Sequence, residues 1–364
     1  MSGPDQIERP TLGTTRLMLR PLAGADAPAV RAATLDADLL RWFPAWAGST
    51  EREITAHVQA GDREDAVTLA VTAGGDFAGE CWLSRVDPLH GCAEAGYWLA
   101  PGARGFGYGA EALAALAGWA FAELGLERIE VLAATANVVS QRVALRAGFR
   151  HEGVRRRAAR SGTDHVDLQS FARCRDDPDG PAPRALPDLT ELSDGVVSVR
   201  PLVGADAADW YAEVSDRDVQ RWSGRLDPPG RAEIGRRAAA APAAWLAGTE
   251  ARLVVVAGGS YAGHISLRMT LPQLGTAEVG YALLGAHRGR GLMRRSLRLV
   301  GHWAFDQVGL ARLEAGVGVD NAASQRTAEG AGFRREGVQR KALPGATGRY
   351  DIVAFSLLPE DLSP

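Results

Sequence analysis

The stretch EAGYWLAPGARGFGYGAEAL, residues 94–113, decides the fold of this chain. It predicts a strand, then a glycine-rich loop, then the start of a helix rich in alanine and leucine. Gly105, Gly107 and Gly109 carry no side chain, so the backbone there can approach a ligand closely. The N–H groups of such a loop, with the positive end of the helix behind it, suit a phosphate. We therefore predict a phosphate-binding turn.

The helix after the loop has one apolar face. It is expected to run from Gly109 to about Leu124. Its apolar positions recur at helical spacing, which predicts a face that packs on a sheet. These positions are Leu113, Leu116, Ala117 and Ala120.

The same pattern recurs as EVGYALLGAHRGRGLM, residues 278–293. Three further blocks of the first half reappear in the second. Residues 199–207 repeat 19–27, residues 321–326 repeat 137–142, and residues 331–338 repeat 147–154. The chain is therefore an internal duplication in which each half carries its own core.

The segment between the halves changes character. Residues 175–193 are rich in Asp and Pro and lack periodicity, which predicts a semi-extended linker. We therefore expect domains at 1–174 and 194–364, in agreement with a length of 364 residues, too long for one ordinary core.

Composition excludes several functional classes. The chain has 41 Lys and Arg against 44 Asp and Glu, a net charge of −3, so no nucleic-acid or membrane partner is expected. Three cysteines without metal-ligand or redox spacing predict a reducing cytoplasm and no metal site. The polar residues 1–10 are not expected to act as a signal peptide, and no apolar run is long enough to span a membrane.

Other elements of the first half follow from local signals. Thr50 and Glu53 form a capping box that starts a helix, and Gly148 ends another helix, 140–147. A further helix is expected at 26–40. Strands are expected at 15–22, 66–71, 77–86, 129–133, 149–155 and 165–172.

Arg104-x-x-Gly107-x-Gly109 and the later Asn137-x-x-Ser140, followed by Gly148-Phe149, resemble the GNAT acyltransferases. The resemblance is closest to the branch that acetylates the N-termini of ribosomal proteins. It covers nearly the whole chain apart from the N-terminal tail and the linker. It implies an α/β (α+β) fold with two tandem GNAT domains, each a mixed, mostly antiparallel sheet flanked by helices.

The resemblance also implies acetyl-CoA as acyl donor, without a metal, in a cleft beside the central strand. The diphosphate would lie on the loop and the pantetheine arm along the strand end. In the first half the implied cofactor-binding residues are Trp98, Leu99, Ala100, Arg104, Gly105, Phe106, Gly107, Tyr108, Gly109 and Asn137. In the second half they are Ala282, Leu283, Leu284, Arg288, Gly289, Arg290, Gly291, Leu292, Met293 and Asn321.

Amine acetylation requires a polarised carbonyl, a proton acceptor and a proton donor for the leaving thiolate. A backbone N–H near Leu99 or Leu283 suits the carbonyl. Many GNAT enzymes protonate the thiolate from a helical tyrosine, which both halves lack. Ser140 and Ser324, which match a serine of the N-terminal acetyltransferase branch, are the candidate donors, and Glu94 and Glu278 the candidate bases.

Three functions follow from the resemblance. The first is acetylation of a peptide or protein N-terminus, and the second is the same reaction on a small-molecule amine. The third makes one half a non-catalytic module that binds CoA or a partner, because Met293 stands where the family prefers glycine or alanine. We expect a monomer or a homodimer.

Other interpretations of these residues compete. The loop also fits a dinucleotide-binding fingerprint, although it lies in mid-domain. Ser140 and Ser324 can serve as helix N-caps, and Glu94 and Glu278 as solvated strand residues.

The same holds for residues outside the motifs. Asp167 and Asp351 suit either an acceptor amine or a hairpin contact. Trp42, Phe43 and Trp46 suit either an acceptor pocket or the core. The arginines at 155–157 suit either an acidic ligand or a solvated face.

Overall fold

A computed structural model describes residues 7–59, 65–161, 164–223, 227–345 and 348–362, so most of the N-terminal stretch 1–10 lies outside it. The chain folds as two compact units, Met1–Pro183 and Arg184–Pro364. The division falls inside the segment that we predicted as a linker. Ala182 in this segment is buried and donates its N–H to the Leu145 carbonyl at 2.7 Å, whereas Leu186 is buried in the core of the second unit. The two parts of this segment therefore belong to the folded units.

The described residues of the N-terminal unit form two strands, three helices, three strands, a helix, a strand, a helix and a final strand pair, in that order. Its strands are β1 Leu12–Gly13, β2 Leu17–Pro21, β3 Val67–Ala73, β4 Asp76–Asp87, β5 Cys92–Leu99, β6 Arg128–Ala134, β7 Arg150–Ser161 and β8 Asp164–Cys174. Its helices are α1 Ala27–Ala33, α2 Ala37–Trp42, α3 Glu51–Gln59, α4 Tyr108–Glu123 and α5 Val138–Arg146.

The C-terminal unit repeats this order. Its strands are β9 Leu192–Ser193, β10 Ser198–Pro201, β11 Glu250–Ala257, β12 Ser260–Leu271, β13 Thr276–Leu283, β14 Arg312–Gly318, β15 Arg334–Gly345 and β16 Gly348–Leu357. Its helices are α6 Ala207–Val214, α7 Arg217–Trp222, α8 Arg231–Leu246, α9 Leu292–Asp306 and α10 Ala322–Ala331.

Each unit is built on one mixed sheet. The strand order is β1-β2-β3-β4-β5-β6-β8-β7 in the first unit, and β9-β10-β11-β12-β13-β14-β16-β15 in the second. The pairs β5–β6 and β13–β14 are parallel, whereas the other pairs in these sheets are antiparallel. The expected fold, two tandem domains with mostly antiparallel sheets flanked by helices, is confirmed.

Helices cover the two faces of the N-terminal sheet separately. The apolar face expected on α4 is buried, since Leu113, Leu116, Ala117 and Ala120 are at most 1% exposed. Trp98 of β5 instead packs with residues of α1, α2 and α3. The neighbouring Tyr97 ring instead lies against Gly109 of α4. Because successive side chains alternate between the two faces of a strand, α4 and the α1–α3 group lie on opposite sides of β5.

Local capping explains where the observed helices differ from the expected ones. The expected helix 26–40 is broken in two because the Asp36 side chain accepts the N–H groups of Asp38 and Leu39 and starts α2. Helix α5 begins before Ser140 because Asn137 is its N-cap. The capping box of α3 forms as expected, with Thr50 N–H to Glu53 at 2.7 Å. In the described part of the chain, no helix is long and apolar enough to cross a bilayer.

A buried ion pair closes the first turn after β2. The Arg20 guanidinium donates two hydrogen bonds to Asp26, both at 2.8 Å, and Asp26 is 4% exposed. These hydrogen bonds hold the pKa of the Asp26 carboxyl below its usual range. Arg200 and Asp206 repeat the pair in the second unit at 2.9 and 2.7 Å. The repeated sequence Arg-Pro-Leu before Gly-Ala-Asp-Ala thus encodes a structural contact in both halves.

We expect Asp26→Asn to lower the free energy of unfolding at pH 7 by about 2 kcal/mol, because the neutral amide cannot replace both charge-assisted hydrogen bonds. A carboxyl whose pKa is lower in the folded than in the unfolded protein stabilises the folded state. This stabilisation is fully present above the unfolded pKa of about 3.9 and is lost as the pH falls toward the folded pKa. The difference in the free energy of unfolding between the unaltered protein and Asp26→Asn, measured by urea unfolding, should therefore become smaller below about pH 4. Asp76→Asn, at the exposed first residue of β4, is the control. A difference that is independent of pH would contradict this assignment.

Candidate active site

A cleft opens beside the central strand of each unit because a parallel strand pair separates early. Strands β5 and β6 pair only over residues 92–94 and 128–130, with Glu94 opposite Glu130 at the last position. Strands β13 and β14 pair only over 276–278 and 312–314. Beyond these pairs the facing edges of the two strands are not hydrogen-bonded to each other. Their backbone N–H and C=O groups therefore need another hydrogen-bond partner. An extended ligand with amide groups fits this edge.

Register decides which strand-end groups face the cleft. The N–H of Ala100 donates to the Ala78 carbonyl at 2.9 Å, and Trp98 pairs with Glu80. Backbone groups alternate along a strand, so Leu99 directs its N–H into the cleft, whereas Trp98 and Ala100 direct theirs toward β4.

The C-terminal unit has the same arrangement. Leu284 donates its N–H to Ala262 at 2.9 Å, and Ala282 pairs with His264. By the same alternation, the N–H of Leu283 points into the cleft, whereas the N–H groups of Ala282 and Leu284 point toward β12.

The glycine loops have the geometry that a diphosphate needs. Gly105 and Gly107 have φ of 85° and 82°, and Gly289 and Gly291 have φ of 72° and 71°, values that favour glycine. Gly107 and Gly291 are the N-caps of α4 and α9, and neither helix has a side-chain cap. The N–H groups of the first turn are thus left for a ligand, and the residues present fit an acidic diphosphate.

The two loops differ in the side chains between their glycines. Phe106 is 58% exposed and stacks on Tyr108 with ring centroids 5.6 Å apart. In the second loop, Arg290 is exposed and Leu292 is buried. The backbone of the loop is therefore repeated, whereas its outer surface is aromatic in one unit and cationic in the other.

Met293 does not face the loop. Its side chain is 4% exposed and belongs to the hydrophobic core of the C-terminal unit. At the matching position, a Cβ on Gly109 would lie 2.6 Å from the Tyr97 ring. A methionine side chain that faces the phosphate would disable the second site. Met293 does not have that orientation, since its side chain lies in the core.

A tyrosine of the central strand meets each candidate serine. The Tyr281 hydroxyl lies 2.9 Å from Ser324 Oγ, and Tyr97 makes the equivalent hydrogen bond to Ser140. Burial raises the pKa of Tyr97 to about 12, which the hydrogen bond to Ser140 partly opposes. Burial likewise raises the pKa of Tyr281. Neither tyrosine was among the predicted site residues, although each stands in one copy of the repeated stretch.

The serines are not the helix caps. Asn137 and Asn321 cap α5 and α10, and their side-chain oxygens accept the N–H of Ser140 and Ser324, each at 3.1 Å. The capping interpretation of the serines is therefore wrong. The hydroxyls of Ser140 and Ser324 face the tyrosines instead.

Glu94 and Glu278 lie where the cleft begins. Glu94 accepts a hydrogen bond from Arg85 at 2.9 Å and its side chain is 27% exposed. Glu278 lies 3.4 Å from Arg268 and its side chain is 48% exposed. Both carboxylates are thus next to the diverging strands and reachable by water.

A cavity of about 200 Å³ adjoins Glu278 in the C-terminal unit. Its polar lining includes Thr270, Glu278, Arg312, Glu314, Glu336 and Gln339. At the position of Gln339 the N-terminal unit has Arg155, which binds Glu130. The two units therefore differ in charge at this point.

Each unit also holds a buried carboxylate that was not among the predicted site residues, Glu80 on β4 and Glu213 on α6. Glu80 is 1% exposed and binds His57 Nε2 at 3.0 Å and the Trp98 indole at 3.2 Å. In the C-terminal unit, Glu213 binds His264 at 2.6 Å and Tyr261 at 2.7 Å. The residue types differ between the halves, so no repeat could reveal them.

Two of the other aromatic candidates of the N-terminal unit pack near Trp98. Phe43 and Trp46 pack against the core cluster that contains Trp98. The Trp46 ring lies 5.3 Å from His57 and 5.6 Å from Trp98. Trp42 instead stacks under Arg41 at 4.8 Å.

Asp167 and Asp351 stabilise their hairpins. They accept the backbone N–H of Arg157 and Lys341, respectively, each at 2.7 Å. Both donors have positive φ, 52° and 50°. Among the described residues, no group of three His, Cys, Asp or Glu side chains could hold a metal ion.

Comparison with known proteins follows the duplication. The family model described as "Acetyltransferase (GNAT) domain" matches residues 16–150 and 197–334. The probable N-acetyltransferase YjcK of Bacillus subtilis is 48% identical over 90 residues, 24% of this chain and 49% of that protein. The ribosomal-protein-serine acetyltransferase of Escherichia coli is 30% identical over 128 residues, 35% of this chain and 71% of that protein. The chain spans about half the length of the first curated relatives that it matches.

Among solved structures, the chain is similar to that titled "Mycobacterium smegmatis RimJ in complex with CoA-disulfide". The sequence identity is 23% and the TM-score 0.46, over 50% of this chain and 92% of that one. The family model matches both halves, which together make up well over half of the chain. This protein therefore belongs to the GNAT acetyltransferase family and carries one such domain in each unit.

Proposed function

We propose that each unit transfers an acetyl group from acetyl-CoA to a primary amine, and that the amine is the N-terminus of a peptide or protein. One observation carries the proposal: in both units a parallel strand pair separates directly beside an uncapped, glycine-started helix. This arrangement combines an amide-binding edge with a diphosphate site. Free Cys81, Cys92 and Cys174 are compatible with action in a reducing compartment such as the cytoplasm.

The proposed cofactor contacts come mainly from the backbone. The N–H groups at Gly105–Gly109 and Gly289–Met293 would hold the diphosphate, and the edges of β5 and β13 the pantetheine amides. The N–H of Leu99 or Leu283, which faces the cleft, would polarise the thioester carbonyl. Acetyl-CoA supplies the activated acyl group, and the protein orients it.

The reaction needs two proton movements. The neutral amine attacks the thioester carbon, a C–N bond forms, and the C–S bond to CoA breaks. Glu94 or Glu278 takes the amine proton, directly or through a water. Ser140 or Ser324 passes a proton to the leaving thiolate, whose ordinary pKa is about 8.5, while a water returns a proton to the serine oxygen, and its tyrosine partner holds the hydroxyl in place.

An N-terminal amine suits this chemistry. Its pKa of about 7.7–8.0 leaves part of it neutral at physiological pH, whereas a lysine amine with a pKa of about 10.4 needs a stronger base. Glu94 and Glu278 are partly exposed, so the amine or a bridging water can reach both carboxylates. The relative acting on a ribosomal protein supports a protein acceptor.

A small-molecule amine is the second candidate acceptor. The cavity beside Glu278 favours it, because Glu278, Glu314 and Glu336 outnumber Arg312 there. An ammonium group would be attracted to such a lining.

We expect calorimetric titration with CoA to show about two molecules bound per chain, one on each glycine loop. Gly107→Val and Gly291→Val should each leave about one site, since a β-branched residue is strained at positive φ. Gly118→Ala, on the exposed side of α4, is the control. Binding of about one CoA by the unaltered chain would support a non-catalytic half instead.

The hydroxyl pair is tested in a chain whose second site is silenced by Gly291→Val. We expect Ser140→Ala to lower kcat by about 100-fold, because the leaving thiolate loses its proton donor. Ser140→Thr keeps the hydroxyl and should recover most of the rate. An unchanged kcat in Ser140→Ala would exclude this role for Ser140.

The acceptor is tested by release of the CoA thiol at pH 7.5. A peptide with a free α-amine should react, and its N-formyl version with an internal lysine should not, because only the α-amine is substantially neutral at this pH. 1,4-Diaminobutane represents the small amines. Preference for the diamine over the free peptide would favour the second candidate, and no CoA release with any amine would overturn the proposed function.

A further inference from the structure

The first residue of the loop motif, Arg104, is engaged entirely by protein groups. Its Nε donates to the Leu99 carbonyl at 3.1 Å, and its Nη2 binds Asp36. Its Nη1 lies 3.5 Å from Asp38. All three guanidinium nitrogens therefore contact oxygen atoms of the strand end and of helix α2.

Arg288 makes the same contacts in the C-terminal unit. Its Nε donates to the Leu283 carbonyl at 3.0 Å, and its two Nη atoms bind Asp216 at 2.8 Å and Asp218 at 2.7 Å. The partners occupy equivalent places, since Asp36 and Asp216 are the N-caps of α2 and α7. Two separate copies of the fold have thus kept one arrangement of arginine, strand carbonyl and helix cap.

These contacts leave little for a diphosphate. Two carboxylates offset the one positive charge of each arginine, so its net attraction for another anion is weak. The guanidinium hydrogen bond also holds the pKa of Asp36 and of Asp216 below the usual range, which keeps both pairs ionic at neutral pH.

The contact to the strand carbonyl acts on the cleft instead. The peptide unit that joins Leu99 to Ala100 is held at both of its polar groups. Its carbonyl, from Leu99, accepts from Arg104, and its N–H, from Ala100, donates to Ala78. A planar peptide fixed at both polar groups restricts the rotation of the neighbouring residue. The N–H of Leu99, which faces the cleft, is therefore held in one direction.

We propose that Arg104 and Arg288 are positioning residues that orient the Leu99 and Leu283 peptides against the thioester, and that they do not bind the diphosphate. The inference rests on the proposed function, in which those peptides polarise the reacting carbonyl. Asp36 and Asp216 belong to the same device, because each holds its arginine and also starts a helix. Helix α2 or α7 is thereby tied to the cofactor cleft.

The test compares a donor with phosphates and one without. In the Gly291→Val chain, Arg104→Gln is assayed with acetyl-CoA and with S-acetylpantetheine. A positioning role predicts that kcat falls by about 100-fold with both donors, because the carbonyl is misplaced in each case. The Kd for CoA, measured by calorimetry, should change by less than about threefold, which also shows that the loop is folded. Arg146→Gln, an exposed arginine of α5, is the control.

A second variant tests whether Arg104 acts together with Asp36 or by itself. Asp36→Asn should lower kcat in the same direction, and the double variant should be no worse than the more damaged single one. The inference is overturned if Arg104→Gln weakens CoA binding more than about tenfold with kcat unchanged, or if the two single effects add. Failure of the unaltered chain to acetylate any amine would instead count against the proposed function.

Discussion

The architecture depends on the short pairing of one parallel strand couple. Strands β5 and β6 share three ladder positions before they diverge, and β13 and β14 do the same. The antiparallel neighbour of each central strand stays paired past this point, through Gly79 opposite Leu99 and Gly263 opposite Leu283. The separation therefore leaves one edge of a rigid strand without a partner, and the glycine loop at its end places a helix N-terminus beside it. Backbone polarity that the fold does not satisfy is what makes the cleft a binding site.

A comparison of the two units distinguishes the contacts that are present in both from those that differ between them. Both units keep the glycine loop, the arginine tied to a helix cap, the asparagine cap and the tyrosine–serine pair. The contacts of the buried carboxylates are not kept. Glu80 binds His57 in one unit, whereas Glu213 binds His264 in the other, from different elements. The cofactor cleft thus keeps its backbone geometry and its main side-chain contacts in both units, although the side chains between the loop glycines differ.

Local patterns in the sequence predicted the duplication and the central strand, loop and helix, whereas the mixed, mostly antiparallel sheet came from the resemblance to the GNAT family. The glycine loop, the apolar face of α4 and the repeats predicted two tandem domains, because each signal lies within a few turns or strands. Contacts between distant residues were not accessible in this way. Tyr281 meets Ser324 across 43 positions, and Arg104 meets Asp36 across 68.

The sequence also suggested roles that the contacts refine. A serine after Asn-x-x suits a cap as well as a proton donor, and only the structure shows that Asn137 occupies the cap. Met293 suggested a damaged loop, because a residue type does not reveal which way its side chain points. Its burial in the core depends on how α9 packs on the sheet.

Hydrogen exchange, followed by mass spectrometry with and without CoA, tests the central claim most directly. If bare main chain at the strand edge and the helix start holds the cofactor, exchange should slow in peptides covering residues 95–110 and 279–294. Segments such as 150–160 in the terminal hairpin should not change. Protection that is absent from both stretches, or confined to other parts of the chain, would contradict the account.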